Sequence, residues 1–178
     1  TFRGVKKNGQ IFHVEIYGSS SLYKGRVAAA GTLLDITERK QVEEALKESR
    51  KQLASIIEFL PDATLVIDKD GKVIAWNRAI EAMTGVKKED IIGKGNHECT
   101  LPFYGIRRPA LIDLALHPDR KIENQYTAIQ RVGDTLLGEA YTPNLPSSNV
   151  HVSATASVLR GNNGEIIAAI ECIRDNTE

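Results

Sequence analysis

The stretch LPDATLVIDKDGKVIAWNRAIEAMTG, residues Leu60–Gly85, decides the fold of this chain. Ala63–Ile67 and Val73–Trp76 are short runs dominated by apolar residues, and such runs are typical of buried strands. Between them, Asp68–Gly71 reads DKDG, a composition that favours a tight turn. The stretch therefore predicts a β-hairpin.

Helices are predicted after this hairpin. Asn77 is suited to cap a helix at Arg78–Thr84, and Gly85 is suited to end it. Pro109 favours the first turn of a further helix, Ala110–Leu116. Three long strands are predicted to follow, at Lys121–Arg131, at Leu136–Leu159 with an irregular TPNLPSS interruption, and at Glu165–Arg174. Two strands, several helices and three strands indicate an α+β domain with helices on one face of an antiparallel sheet.

The composition excludes several classes of protein. The chain has 178 residues, of which 42% are hydrophobic and 26% charged, as is typical of a globular protein. Its 23 acidic and 23 basic residues balance, which disfavours nucleic acid as a partner. No apolar run approaches the roughly 18 residues of a membrane span, so we expect no membrane segment here and a cytoplasmic location. Cys99 and Cys172 lack CxxC spacing, and no metal site is predicted.

The chain contains an internal repeat. GRVAAAGTLLDITE at residues 25–38 aligns with EIIAAIECIRDNTE at residues 165–178, and His13-Val14 aligns with His151-Val152. Each copy predicts a strand, a turn and a second strand. We therefore expect residues 1–38 to be the last three strands of a truncated domain, with an apolar face at Phe12, Val14 and Ile16 that needs cover.

A long helix is predicted between the two copies, at residues 39–60. Apolar or small residues recur along it at spacings of four and three, which is typical of a coiled-coil seam. They are Val42, Leu46, Ser49, Leu53, Ile56 and Leu60. We expect a homodimer through this linker helix, while an amphipathic helix lying on its own domain is the alternative.

This order of elements, with LPDATLVIDKDGKVIAWNRAIEAMTG at its start, IIGK at Ile91–Lys94 and DNTE at its end, resembles the PAS family. The resemblance implies a five-stranded antiparallel sheet in the order 2-1-5-4-3, with helices that enclose a cavity. It divides the chain into a truncated PAS domain (1–38), a signalling helix (39–60) and a complete PAS domain (61–178). Because such domains occur in sensor histidine kinases, we expect a non-catalytic sensory module with a kinase or another output domain downstream.

The repeated ending also resembles the D-x-T motif with which a PAS domain hands its last strand to an output helix. Asp35 and Thr37 form the first copy, and Asp175 and Thr177 form the second. The resemblance implies that these four residues relay a change of state from a cavity to a helix.

Candidate ligand-binding residues are Trp76, His97, Tyr104, Arg107 and Arg108. The two arginines precede a predicted helix, where a carboxylate or phosphate would be stabilised. Alternatively, the arginines face solvent or form ion pairs, and Trp76 fills the core. Cys172 shares a strand face with Ile166, Ala168 and Ile170, which predicts a core position for it.

The cofactor is unknown from the sequence, and absence of one is the first expectation. His97 and His117 are possible haem ligands, and Cys99 in GNHECTLPF loosely resembles the flavin-adduct motif of light-sensing PAS domains. A haem or flavin redox sensor is therefore one alternative function. Another is a ligand-free dimerisation and spacer module, which would be favoured if large side chains filled the cavity. The candidates for such filling are Trp76, Phe103, Tyr104 and Tyr126.

Overall fold

The computed structural model describes residues 1–123, 126, 128–146 and 150–176. The chain divides into two compact units, Thr1–Ala54 and Ser55–Glu178. Within the described residues, no helix is both long enough and apolar enough to span a membrane.

The N-terminal unit is built on an antiparallel sheet in the order β1-β2-β3. Its elements are β1 (Phe2–Val5), β2 (Ile11–Tyr23), β3 (Arg26–Asp35) and helix α1 (Thr37–Glu58), which continues into the second unit. Lys24 and Gly25, with φ of 50° and 76°, join β2 to β3. Two positive φ values in a two-residue loop match the right-handed twist of the strands. Helix α1 lies wholly within the described residues, and none of its side chains is buried.

The second unit alternates strands and short helices. In chain order these are β4 (Ala63–Asp68), β5 (Val73–Trp76), α2 (Arg78–Thr84), α3 (Lys88–Ile91), a 3₁₀ turn (Glu98–Thr100), α4 (Leu101–Tyr104), α5 (Leu111–Leu116), α6 (Arg120–Glu123), β6 (Ala128–Val132), β7 (Thr135–Thr142), β8 (Val150–Arg160) and β9 (Ile166–Asp175). All neighbouring strands are antiparallel, in the order β5-β4-β9-β8-β7-β6. The α+β class with an antiparallel sheet is confirmed.

The sheet has six strands where five were expected. The predicted strand Leu136–Leu159 is two strands, because Pro143 and Pro146 cannot donate to a ladder and the chain turns there. Part of the predicted TPNLPSS interruption lies outside the described residues.

The predicted strand Lys121–Arg131 begins only at Ala128. Asp119 is the physical reason, since it favours a helical turn at this point. Its carboxylate accepts a hydrogen bond from the Lys121 N–H at 2.8 Å, and its carbonyl accepts from the N–H groups of Ile122 and Glu123. These bonds form the short helix α6 and delay the strand.

Asn77 fixes the opening hairpin to helix α2. Its side-chain oxygen accepts from the N–H groups of Ile80 at 3.0 Å and Thr64 at 2.9 Å. Its side-chain nitrogen donates to the carbonyls of Asp62 at 2.9 Å and Leu60 at 3.3 Å. The predicted helix cap is confirmed, and the same amide also fastens the start of β4.

Helix α5 covers the central strands of this sheet. Its side chains Leu111, Ile112 and Leu114 are buried against β7, β8 and β9. The helix face of the sheet therefore holds the core, and the space between α4, α5 and the strands is where a ligand could lie.

Candidate functional site

A cavity lies between the sheet and the helices of the second unit. The space in which the centre of a water molecule fits is about 20 Å³, room for roughly one water molecule. Its polar lining comprises Cys99, Thr100, Tyr104, Tyr126, Thr142 and Glu171, while the remaining lining is apolar and includes Leu65, Phe103 and Ile173. The described cavity is therefore small and largely filled by the protein's own side chains.

Glu171 is the acidic group of this cavity. It lies in β9, paired with Leu65 of β4 and Ala156 of β8, and its side chain faces the helices. The residue is only 5% exposed. Burial and the nearby charge of Asp113 raise the pKa of Glu171 to about 8, although the backbone N–H of Ile112 opposes the shift. At neutral pH the carboxyl group is therefore mostly protonated, and it can donate as well as accept a hydrogen bond.

Two buried phenols accompany this acid. Burial, then the charge of Glu171, raises the pKa of both Tyr104 and Tyr126. The Arg108 guanidinium lies 4.7 Å from the centre of the Tyr104 ring, a cation–π distance. Both phenols are neutral at physiological pH and present hydroxyl groups that can donate or accept hydrogen bonds.

Cys99 is a poor nucleophile in this setting. Burial and the charge of Asp113 raise the pKa of the thiol to about 12, so the thiolate is rare at neutral pH. Among the described residues, no group of three or more His, Cys, Asp or Glu side chains is arranged to hold a metal ion.

The candidate residues from the sequence are dispersed, and all five lie in the described part of the chain. Among them, Tyr104 alone lines the cavity. Trp76 is buried elsewhere in the core, where its indole N–H donates to the Val86 carbonyl at 3.1 Å. His97 Nδ1 lies 3.2 Å from a carboxylate oxygen of Asp113. Arg107 is ion-paired with Glu98, with Nε 2.9 Å from Oε2.

Large side chains contribute to the filling of the cavity. Phe103, Tyr104 and Tyr126 all line it, as the spacer alternative expected, whereas Trp76 does not. His117, the other haem candidate, is exposed at the end of α5.

Sequence reasoning missed Glu171 because it chose the wrong face of β9. Ala169, Glu171 and Ile173 are buried on the cavity face, while Cys172 is only half-buried and its sulfur lies 3.6 Å from the Thr64 hydroxyl. The predicted core position of Cys172 was therefore wrong. An available signal was the single acid inside the otherwise apolar run IIAAIECI.

The two strand exits have the same backbone geometry. Val14 pairs with Asp35 and the Ile36 N–H donates to the His13 carbonyl at 2.9 Å. In the second unit, Val152 pairs with Asp175 and the Asn176 N–H donates to the His151 carbonyl at 3.0 Å. The internal repeat is thus a repeat of strand register.

Side chains reinforce the first exit. Thr37 Oγ1 accepts from the His13 N–H at 2.9 Å and donates to Asp35 at 2.5 Å. Hydrogen bonds from the Thr37 side chain and backbone lower the pKa of Asp35, which keeps the carboxylate ionised. Thr177, the corresponding threonine of the second exit, lies outside the described residues.

The second exit has a different tether. Arg174 Nε lies 3.0 Å from a carboxylate oxygen of Asp62, which joins the end of β9 to the segment just before β4. The Ser153 hydroxyl also contacts the Asn176 side chain at 3.1 Å. The last strand is therefore held at its exit by an ion pair and by side-chain bonds.

Comparison with known proteins identifies the second unit. The family model described as PAS domain matches residues 61–178. The chain is 40% identical over 65 residues to the sensor protein FixL of Bradyrhizobium diazoefficiens, across 36% of this chain and 13% of that protein. It is 29% identical over 92 residues to sporulation kinase A of Bacillus subtilis, across 51% of this chain and 15% of that protein. The chain thus spans only a small part of the length of these curated relatives.

Solved structures with similarity to this chain include PAS domains. The PAS domain of BvgS from Bordetella pertussis has a TM-score of 0.48 and 18% identity, covering 73% of this chain and 87% of that one. A PAS domain from Colwellia psychrerythraea has a TM-score of 0.46 and 22% identity, covering 71% of this chain and 96% of that one.

Proposed function

This chain belongs to the PAS domain family, and from that premise we propose that residues 61–178 bind a small molecule in the cavity and relay its presence through the end of β9. A PAS domain is a sensory module in signal transduction and not a catalytic one. Beyond this family role, residues 61–178 would hold a ligand in the cavity and transmit its presence out of the cavity along β9.

One observation carries the proposal: the cavity acid and the exit lie on the same strand. Glu171 is four residues before Asp175 in β9, roughly 13 Å at about 3.3 Å per residue. A ligand that contacts Glu171 differently in two states of the domain would bias the position of β9. The exit bond from Asn176 to His151 would then change with it.

The relay residues are Asp35 and Thr37 in the first exit and Asp175 and Thr177 in the second. The hydrogen bonds among Asp35, Thr37 and His13 support a rigid connection from β3 into α1. By analogy, Thr177 would play the part of Thr37 and connect β9 to a following helix.

The longer protein would be a cytoplasmic sensor kinase, or would carry another output domain that reads this signal. In support, the two curated relatives named above are a sensor protein and a sporulation kinase. Residues 1–38 would be the last three strands of another PAS domain, and residues 39–60 the signalling helix. Dimerisation through α1 is supported by the exposed apolar seam at Val42, Leu46, Leu53 and Ile56.

A second candidate function is a ligand-free dimerisation and spacer module. The observation that favours it is the small cavity, already filled in part by Phe103, Tyr104 and Tyr126. Such a module would need no change at Asn176 on addition of any small molecule.

Native mass spectrometry of the freshly purified protein separates these functions. A bound molecule that is lost on denaturation supports the sensor, and its mass and absorption spectrum distinguish an organic metabolite from haem or flavin. A protein that carries nothing, and that binds nothing from a metabolite library, supports the spacer instead.

A further inference from the structure

The cavity has an acid but no basic side chain in its wall. Among the described residues, none of those that line it is Lys, Arg or His, and Glu171 is the one carboxyl group. The charged group that acts most strongly on Glu171 is Asp113 of α5, which has the same sign. An anionic ligand would therefore meet repulsion from Asp113, whereas a cation would meet a carboxyl group that has no basic partner in the cavity wall. The Arg108 guanidinium lies outside this lining and acts on Tyr104 and Tyr126.

We propose that this cavity selects a small organic molecule with a basic nitrogen, bound as a cation against the carboxylate of Glu171. The inference rests on the proposed sensory function and names the chemical class of its ligand. It departs from the anion site suggested by Arg107 and Arg108, since Arg107 is paired with Glu98 and neither arginine lines the cavity.

The other lining groups suit a cation. The ring of Phe103 provides aromatic surface, on which an ammonium group is stabilised by a cation–π interaction, whereas the Tyr104 ring already lies 4.7 Å from the Arg108 guanidinium. The hydroxyl of Thr142 donates its proton to the Val150 carbonyl at 2.8 Å, so its lone pairs are left to accept an N–H from a ligand. The surrounding apolar wall strengthens each of these interactions by excluding water.

Binding requires one proton to move. Before binding, the proton is on the Glu171 carboxyl group. The titratable or charged groups around it are Asp113 of α5, Tyr104 of α4, Tyr126, the thiol of Cys99 and, beside both phenols, the Arg108 guanidinium. An amine that arrives as the free base takes this proton on its nitrogen. An amine that arrives as an ammonium ion displaces the proton to solvent.

The size of the cavity restricts the ligand. About 20 Å³ of free space admits a ligand only if lining side chains move apart, and the cost of that movement rises with ligand size. Molecules with few non-hydrogen atoms are therefore favoured.

Three probes with the same branched four-carbon skeleton test the charge preference: isobutylamine, isobutanol and isobutyrate. We expect isobutylamine to bind at pH 8 at least tenfold more tightly than isobutanol, and isobutyrate to bind more weakly than both, as measured by calorimetry. Because one proton leaves Glu171, the Kd for the amine should rise about tenfold for each pH unit from 7.5 to 6.

The variant Glu171→Gln is the matched test, since an amide is nearly isosteric with the protonated acid. It should bind isobutylamine no better than isobutanol and lose the pH dependence. Glu139→Gln, the same change at an exposed position of β7, should behave as wild type. Calorimetry of the wild type in two buffers of different ionisation enthalpy measures the released proton directly and does not depend on the folding of any variant.

Three results would overturn the inference: equal binding of amine and alcohol, including no binding of either; a preference for isobutyrate; or an amine preference that survives Glu171→Gln. A neutral or acidic molecule found bound in the purified protein would also overturn it, yet would leave the sensory function standing. Failure of the sensory function itself would show as a cavity that stays empty with every class of molecule.

Discussion

The strands β1–β3 and the strands β7–β9 have the same register and the same exit bond, but they differ in what covers them. Ile16, two residues after Val14, is 55% exposed, whereas Ala154, two residues after Val152, is 7% exposed. Leu33, two residues before Asp35, is 57% exposed, whereas Ile173, two residues before Asp175, is 5% exposed. The difference arises because α5 packs on the second sheet.

The cavity acid, Glu171, has no counterpart in the N-terminal unit. Gly31 precedes Asp35 by four residues, as Glu171 precedes Asp175. A Cβ atom at Gly31 would lie 2.8 Å from the Tyr17 carbonyl oxygen, so a glutamate cannot be accommodated there without movement of the backbone. Strand register and exit geometry are therefore common to β1–β3 and β7–β9, while the acid is present only in β7–β9, the strands that α5 covers. The acid is therefore not required for three such strands to form a sheet.

The largest expected effect is a loss of stability in the second unit, whose sheet is covered by α5, with no change in the N-terminal unit. Asn77→Ala removes four hydrogen bonds from a buried amide and leaves the Thr64 and Ile80 N–H groups without that partner. We expect a loss of about 4 kcal/mol in the free energy of unfolding of the second unit. Urea titration followed by fluorescence of Trp76, the only tryptophan of the chain, measures it.

Asn8→Ala is the control for that experiment. The Asn8 side chain accepts one exposed bond, from the Gln10 N–H, in the N-terminal unit. We expect the removal of this bond to lower the free energy of unfolding by less than about 0.5 kcal/mol. Comparable effects of the two substitutions would contradict the account of Asn77 as the fastening point of β4 and α2.

The next effect is a pH dependence that only the covered unit should have. Folding raises the pKa of Glu171 from 4.5 to about 8, so above pH 5 the unfolded chain has lost a proton that the folded protein keeps. Stability must therefore fall as pH rises, by at most about 1.4 kcal/mol per pH unit, or about 3 kcal/mol from pH 5 to 7.5.

Urea titrations of wild type and Glu171→Gln at several pH values measure this dependence. In Glu171→Gln, most of this decrease in stability with rising pH should disappear, and the variant should be more stable than the wild type at pH 7.5. Wild-type and variant curves that run parallel from pH 5 to 7.5 would contradict a buried, protonated Glu171.

Of the face predicted to need cover, Val14 is buried and Phe12 is half-buried, so the prediction was wrong for Val14, and the exposed remainder around Ile16 predicts self-association. Apolar side chains of β2 and β3 are exposed in the single chain, which water disfavours, and a second copy could cover them. Replacing Ile16 and Leu33 together by Lys should raise the dimer dissociation constant about a hundredfold, equivalent to about 2.7 kcal/mol.

Analytical ultracentrifugation over a range of concentrations measures that constant. Ile74→Lys places the same charge at an exposed position of the second unit and should leave it unchanged. A wild-type protein that is monomeric at all concentrations would exclude cover by a second copy.

The smallest effect concerns the first exit. Thr37→Val removes the acceptor of the His13 N–H and the donor to Asp35 while preserving shape. We expect a loss of about 1 kcal/mol in the local stability of the start of α1, observed there as faster hydrogen exchange. Thr32→Val, at an exposed position of β3, is the control. Unchanged exchange would mean that the backbone alone holds this exit.

The opening hairpin, the Asn77 cap and α5 could be predicted because their signals are local. Turn residues, a cap and helical spacing depend on few neighbours in sequence. The division between β7 and β8 was harder, since the extended runs on both sides of Pro143 and Pro146 have the same alternation. The PAS resemblance supplied the strand order, apart from the additional strand.

The candidate site could be predicted only in part. The run IIAAIECI is apolar on both faces, so its period of two cannot say which face meets the helices, and Glu171 was missed. Arg107 was expected to bind a ligand because it precedes a predicted helix. Its ion pair with Glu98 depends on the path of a loop, which the sequence does not reveal. Tyr104 was found through its place beside the arginines, although the cavity it lines is defined by strands far away in sequence.

Hydrogen exchange at two amides tests the central claim most directly, since Ile36 and Asn176 make the same exit bond and only the second lies on the strand of the cavity acid. The account predicts that isobutylamine at pH 8 changes the exchange rate of Asn176 at least threefold, leaves Ile36 unchanged, and has no effect in Glu171→Gln. An unchanged Asn176, or equal changes at both amides, would contradict it.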